Sequence, residues 1–164
     1  MHDPGGATIR EVRDTVVDLA DPGPVPVGPP MAVLVVGTDD WAVEQACNTL
    51  TAAGHRVFTC HDLGAPGPGF PCRALVAGDR CPLAAGAQLV LDIRSRPLPT
   101  PSYPETGVIC GLRDGLPLVT GGVSVNNPFT PWAAVEVEPG GDLVEACVKA
   151  HEVSKRKDIA GSRG

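Results

Sequence analysis

Short apolar segments alternate with segments of helical periodicity along most of the chain. Residues 32–36 are apolar at every position, which is typical of a strand buried on both faces of a sheet. Four further segments are predicted as strands, at 56–60, 88–92, 116–120 and 133–137. Helices are predicted at 40–53, 106–113 and 142–155, with one helical turn around 73–76. This alternation predicts a doubly wound α/β fold with a five-stranded parallel sheet.

The first 30 residues follow a different pattern. Residues 7–20 carry apolar side chains at helical spacing, and the proline-rich connector DPGPVPVGPP follows them. We therefore expect a helical appendage and linker over residues 1–30, an α/β domain over 31–155 and a tail over 156–164. Because the connector separates the appendage from the first strand, we expect the domain to fold without it.

Charge and composition narrow the classes of partner. The net charge of −6 and the pI near 5.1 argue against nucleic acid and against an anionic membrane surface. The sequence has neither a signal-peptide pattern nor an apolar run of about 20 residues. We expect a cytoplasmic protein with reduced thiols whose partner is another protein, and a homodimer is left open.

Three segments resemble the receiver domain of response regulators. VLVVGTDDWAVEQACNTLTAAGHRV, at 33–57, matches the receiver's first strand, first helix and second strand. QLVLDIRSRP matches the phospho-acceptor segment with Asp92 at the acceptor position, and LPLVTGG places Thr120 at the family's switch hydroxyl. The resemblance implies a flavodoxin-like sheet in the order 2-1-3-4-5.

Other positions depart from the receiver pattern. The acidic pair that holds magnesium in receivers falls on Gly37 and Thr38, and the lysine after the fifth strand falls near Glu138. Residues 126–131 also leave little room for a fourth helix. The resemblance therefore implies a pseudo-receiver, that is, a non-enzymatic regulatory or interaction domain that works through protein partners.

A second functional hypothesis uses the carboxyl edge of the sheet. Ligands of open α/β sheets gather at this edge, where the order of the strands reverses. Thr38, Asp39, Asp92 and Thr120 follow or end strands there and could line a pocket. Such a pocket would suit a small nucleotide-binding domain or enzyme.

A third hypothesis comes from the cysteine-rich segment that begins at Cys60. Cys60, His61, Cys72 and Cys81 supply the donor set of a structural zinc site. Cys110 could serve as the fourth ligand instead, in a set that would also suit an iron–sulfur cluster. Two alternatives stay open, a disulfide between Cys72 and Cys81 and inert, partly buried thiols. A metal site or a disulfide would make the protein a metal- or redox-responsive sensor, whereas inert thiols would not.

Overall fold

The computed structural model describes residues 28–63 and 72–162. Its strands are β1 (Ala32–Gly37), β2 (Arg56–Phe58), β3 (Leu89–Arg94), β4 (Leu118–Gly122) and β5 (Ala133–Val137). All neighbouring strands pair in parallel, in the order β2-β1-β3-β4-β5. The predicted fold class and strand order are therefore confirmed. The predicted helix at 7–20 lies outside the described residues.

The α-helices are α1 (Asp40–Ala52), α2 (Arg73–Val76), α3 (Thr106–Arg113) and α4 (Leu143–Gly161). Capping carboxylates fix the starts of α1 and α4, because Asp39 Oδ1 accepts from Ala42 N and Asp142 Oδ1 from Glu145 N, both at 2.9 Å. Between β4 and β5 the chain forms only a short 3-10 turn, so the expected lack of a fourth helix there is confirmed. No helix in the described part of the chain is long and apolar enough to cross a bilayer.

Three predicted strand ends are wrong by two residues, and the errors in β2 and β3 bear on the candidate sites. β4 runs to Gly122 rather than ending at Thr120. β2 ends at Phe58 rather than at Cys60, because Arg73 takes the next two carbonyls: its Nη2 donates to Thr59 O and its backbone N to Cys60 O, each at 2.9 Å. β3 continues past Asp92 to Arg94, paired on both sides by neighbouring strands. Asp92 therefore lies inside the sheet rather than at its end.

Each face of the sheet has its own hydrophobic core. Helices α1 and α4 cover one face, where alternate strand residues such as Val33, Val35 and Leu91 pack against Leu50 of α1. The strand residues that alternate with these point to the other face, where Val108 of α3 packs against them. A Cβ at Gly111 would lie 2.3 Å from Val90 Cγ2, so a glycine is required for α3 to pack this closely.

Candidate functional site

Four cysteines line one cavity on the α3 side of the sheet, which we call the thiol cavity. Its volume is about 50 Å³, and Cys60, Cys72, Cys81 and Cys110 all contribute to its wall. The four residues come from separate segments: Cys60 follows β2, Cys72 caps α2, Cys81 follows α2 and Cys110 lies within α3. All of them are free thiols and none is fully buried. The fold therefore gathers four of the six cysteines at one place.

Local contacts explain why these segments meet. The backbone hydrogen bond from Arg73 N to Cys60 O places the start of α2 beside the end of β2. On the opposite wall, an added Cβ at Gly107 would lie 3.1 Å from Cys60 Sγ, so the missing side chain leaves room for the sulfur atom. Gly107 and Cys110 are three positions apart on α3 and thus share the helix face that lines the thiol cavity.

The thiols influence each other electrostatically. The pKa of Cys60 is raised to about 12. Burial is the largest cause, the charges that Cys72, Cys81 and Cys110 would carry add to the rise in that order, and Arg73 opposes it. Burial also raises the pKa of Cys110, with Cys81 and Cys72 adding to the rise and Arg113 opposing it. At neutral pH the Cys60 and Cys110 thiols are therefore protonated.

The residues predicted as a metal site lie together, and His61 also lines the thiol cavity. His61 Nε2 is buried and finds no hydrogen-bond partner within the described chain. Burial and Arg73 lower the pKa of this histidine, so its neutral form is favoured. Among residues 28–63 and 72–162, however, no three His, Cys, Asp or Glu side chains are arranged to hold one metal ion. The zinc and iron–sulfur readings therefore stay predictions.

A second polar feature lies on the same face, where α3 begins, and we call it the buried ion network. Arg94 Nε and Nη2 donate to the two oxygens of Glu105 at 2.7 and 2.9 Å, and Arg94 Nε lies 3.7 Å from Asp92 Oδ2. All three side chains are fully buried. Glu105 Oε2 also accepts from the backbone N and the hydroxyl of Ser102, and Arg94 Nη1 donates to the Leu98 carbonyl. This network fastens the loop after β3 to the start of α3.

The sequence reasoning missed Arg94 and Glu105 as partners. One signal was available, because Ser102 and Glu105 have the spacing of a capping box before an apolar helix. A second was the alternation that puts Asp92 and Arg94 on one face of β3. Neither pattern predicts that Glu105 also pairs with Arg94, because that contact joins two different elements 11 residues apart.

Asp92, the phospho-acceptor-like residue, belongs to this network and has no exposed surface. Its Oδ2 accepts from Asn127 Nδ2 at 3.1 Å. The pKa of Asp92 is raised to about 8, chiefly by burial and next by the neighbouring charge of Glu105. Asp92 Oδ1 and the hydroxyl of Thr120, its register partner on β4, are both buried and unpaired in the described residues.

The predicted pocket at the carboxyl edge is not assembled from the expected residues. Asp39 caps α1, and its Oδ2 accepts from Ser95 Oγ and lies 3.5 Å from Thr38 Oγ1. Thr120 is buried beside Asp92 instead, away from the surface. A cavity of about 20 Å³ does lie at the end of β1, but Asp40 and His61 line it rather than Thr38, Asp39 or Thr120.

The sheet order and the two layers of helices define an α/β protein of flavodoxin-like topology. A receiver domain shares this general topology. Comparison of the chain with models of protein families, with curated proteins and with solved structures finds no match. The topology therefore stands without a family assignment, and any functional conclusion depends on the two polar sites.

Proposed function

We propose that this protein is a non-enzymatic regulatory domain whose input is the oxidation state of the thiol cavity and whose output is read by a protein partner. The observation that carries the proposal is the convergence of four cysteines from four segments on one cavity of about 50 Å³. Isolated buried cysteines behave as small hydrophobic residues, but clustered thiols can react with each other.

The position of Cys72 supports the link from input to output. Cys72 directly precedes α2, a helix of four residues with no buried side chain. Leu75 and Val76 of this helix are 74% and 67% exposed. Because few packing contacts hold α2, a covalent bond at Cys72 would restrict the local opening of this helix and of its exposed apolar side chains. A protein partner that binds these side chains can detect such a change.

The buried ion network supports a regulatory rather than a phosphorylated domain. Asp92 occupies the acceptor-like position but lies fully buried and hydrogen-bonded to Asn127. Gly37 and Thr38 offer no carboxylates for magnesium. We therefore assign signal input to the thiols and treat Asp92 as a structural residue.

Oxidation of the reduced protein tests the proposal. Hydrogen peroxide is added to reduced protein, the remaining thiols are alkylated under denaturing conditions, and intact mass gives their number. We expect thiols of the thiol cavity to become closed to alkylation in pairs, while Cys47 and Cys147 stay free. Reductant should make all six thiols available again. We also expect hydrogen exchange of residues 73–76 to differ between the two forms.

Cys47→Ser is the matched control, since Cys47 is a half-buried thiol on α1 outside the thiol cavity. This variant should respond to peroxide as the wild type does. The proposal is wrong if all six thiols stay open to alkylation after oxidation. The proposal is also wrong if disulfides form while the hydrogen exchange of α2 is unchanged, because oxidation would then not alter the helix that a partner is proposed to bind.

A soft metal ion is the second candidate input, favoured by the all-sulfur character of the four cysteines. Since no three ligands in the described chain surround one point, binding would require the segments to move inward and would couple metal affinity to loop order. Titration of reduced protein with Cd²⁺ should then produce a thiolate charge-transfer band that saturates at one equivalent. Ser variants at any of the four cysteines should weaken it, Cys47→Ser should not, and a band shared by all variants would exclude this site.

A further inference from the structure

The contacts around the thiol cavity select among the ways in which four thiols can pair. We infer that oxidation joins Cys60 to Cys72 and Cys81 to Cys110, rather than Cys72 to Cys81. This inference rests on the proposed function, because it names the bonds through which the thiol cavity would respond. It assigns each disulfide to a different pair of structural elements.

The Cys60–Cys72 pair follows from the backbone. Arg73 N donates to Cys60 O at 2.9 Å, so the residue before Arg73 lies directly beside Cys60. A disulfide needs Cα atoms roughly 4.4–6.8 Å apart, and chain segments joined by a backbone hydrogen bond run at about this separation. The Arg73 side chain holds the same arrangement through its bonds to Thr59 O at 2.9 Å and Asp62 at 3.2 Å. Among the other thiols, Cys72 also has the largest effect on the pKa of Cys60.

The Cys81–Cys110 pair follows from packing against α3. Residues 80–83 line the thiol cavity together with Gly107 and Cys110, so the segment that carries Cys81 lies beside the face of α3 that carries Cys110. Among the thiols that raise the pKa of Cys110, Cys81 has the largest effect, which agrees with this placement. Cys81 is therefore the partner that we assign to Cys110.

The oxidation is written with hydrogen peroxide as the oxidant. A thiolate of one cysteine attacks the peroxide, its sulfur becomes a sulfenic acid, and the O–O bond breaks with release of water after proton transfer. The second thiol then attacks that sulfur, which forms the S–S bond and releases another water. Burial raises the pKa of Cys60 and of Cys110, which disfavours the thiolate forms of these two cysteines. Each disulfide consumes one peroxide and two thiol protons.

Trypsin separates the alternatives cleanly. Cleavage after Arg56, Arg73, Arg80 and Arg94 puts Cys60 and Cys72 in the single peptide 57–73 and Cys81 in the peptide 81–94. Cys110 lies in the peptide that ends at Arg113. A Cys60–Cys72 bond would thus appear as an internal loss of two hydrogens, and a Cys81–Cys110 bond as a crosslink between two peptides.

Peptide mapping of the oxidised, non-reduced full chain is the test. We expect the internally bonded peptide 57–73 and the crosslink between 81–94 and the Cys110 peptide. A crosslink between 57–73 and 81–94 would overturn the pairing and leave the proposed function standing. The complete lack of disulfides would overturn the proposed function as well, so the two failures are distinguishable.

Single variants provide an independent readout. Cys60→Ser and Cys72→Ser should each abolish the internal bond while the Cys81–Cys110 crosslink still forms. Cys81→Ser and Cys110→Ser should each abolish that crosslink alone. If Cys60→Ser fails to fold because its site is crowded, Cys72→Ser carries the test, since Cys72 begins a helix with no buried residue. Loss of both disulfides in any single variant would contradict two separate pairs.

Discussion

The two faces of the sheet differ in the chemistry that they bury. The face beneath α1 and α4 holds a continuous apolar core, built from side chains such as Leu50, Leu91 and Val119. The face beneath α3 also has an apolar centre, but it carries the thiol cavity and the buried ion network as well. The network includes alternate residues of the strand β3, whereas the four cysteines come from the segments and the helix that cover this face.

This difference separates stability from chemistry. An apolar face gains free energy from any well-packed side chain and needs no particular partner. A buried charge or thiol cluster depends on specific neighbours, because each polar group must be paired or kept neutral. The face beneath α3 therefore carries the candidate functional sites. The core beneath α1 and α4 supplies stability that allows residues of the α3 face to change.

Removal of Arg94 should give the largest effect. Arg94→Met keeps much of the side-chain volume but leaves the Glu105 and Asp92 carboxyl groups buried without their cation. Loss of one partner from a buried pair costs about 3–5 kcal/mol, which urea unfolding would measure. Arg96→Met is the control, because Arg96 is exposed and an exposed substitution costs less than about 0.5 kcal/mol. Equal losses in the two variants would show that the network does not stabilise this face.

Truncation in the apolar face should give the next largest effect. Leu50→Ala removes a fully buried side chain of α1 and should lower the free energy of unfolding by about 2–5 kcal/mol. Because Leu50 packs on the face opposite the thiol cavity, the oxidation pattern of the native variant should not change. Leu75→Ala, at an exposed position, should cost less than about 0.5 kcal/mol. An altered disulfide map in Leu50→Ala would show that the two faces are coupled.

Asp92→Asn should give an effect that depends on pH, since the variant keeps the side chain's shape and an oxygen for Asn127 but loses the titrating group. In the folded protein the pKa of Asp92 is raised from 3.8 to about 8, so the folded state holds a proton that the unfolded chain releases. Rising pH therefore favours unfolding between about pH 4 and pH 8, and wild-type stability should fall relative to the variant over that range. Urea unfolding at several pH values measures the difference.

Asp79→Asn removes an exposed carboxylate and serves as the control for the loss of one charge. Its stability difference from the wild type should not follow the same curve. If the difference between wild type and Asp92→Asn were constant from pH 4 to pH 8, Asp92 would not titrate as described. If the variant became less stable with rising pH relative to the wild type, the sign of the shift would be wrong.

Periodicity in the sequence was enough to predict the five strands and the bounds of α3, since these depend on local apolar spacing, whereas the strand order was predicted from the resemblance to receiver domains. It placed the end of β2 two residues too late because the contacts that end this strand come from Arg73. It placed the end of β3 two residues too early, because the charged residues Asp92 and Arg94 interrupt the apolar run although both are buried in the sheet.

The candidate sites also depend on contacts between segments that are distant in the sequence. The sequence by itself determined that Cys60, His61, Cys72 and Cys81 lie in one irregular segment, and it raised Cys110 only as a substitute ligand. Only the tertiary structure decided that Cys110 shares their cavity and that Arg94 and Glu105 meet. Local spacing encodes which residues share a face of one element. Contacts between elements depend on how α3 packs over the sheet, and no single segment contains that information.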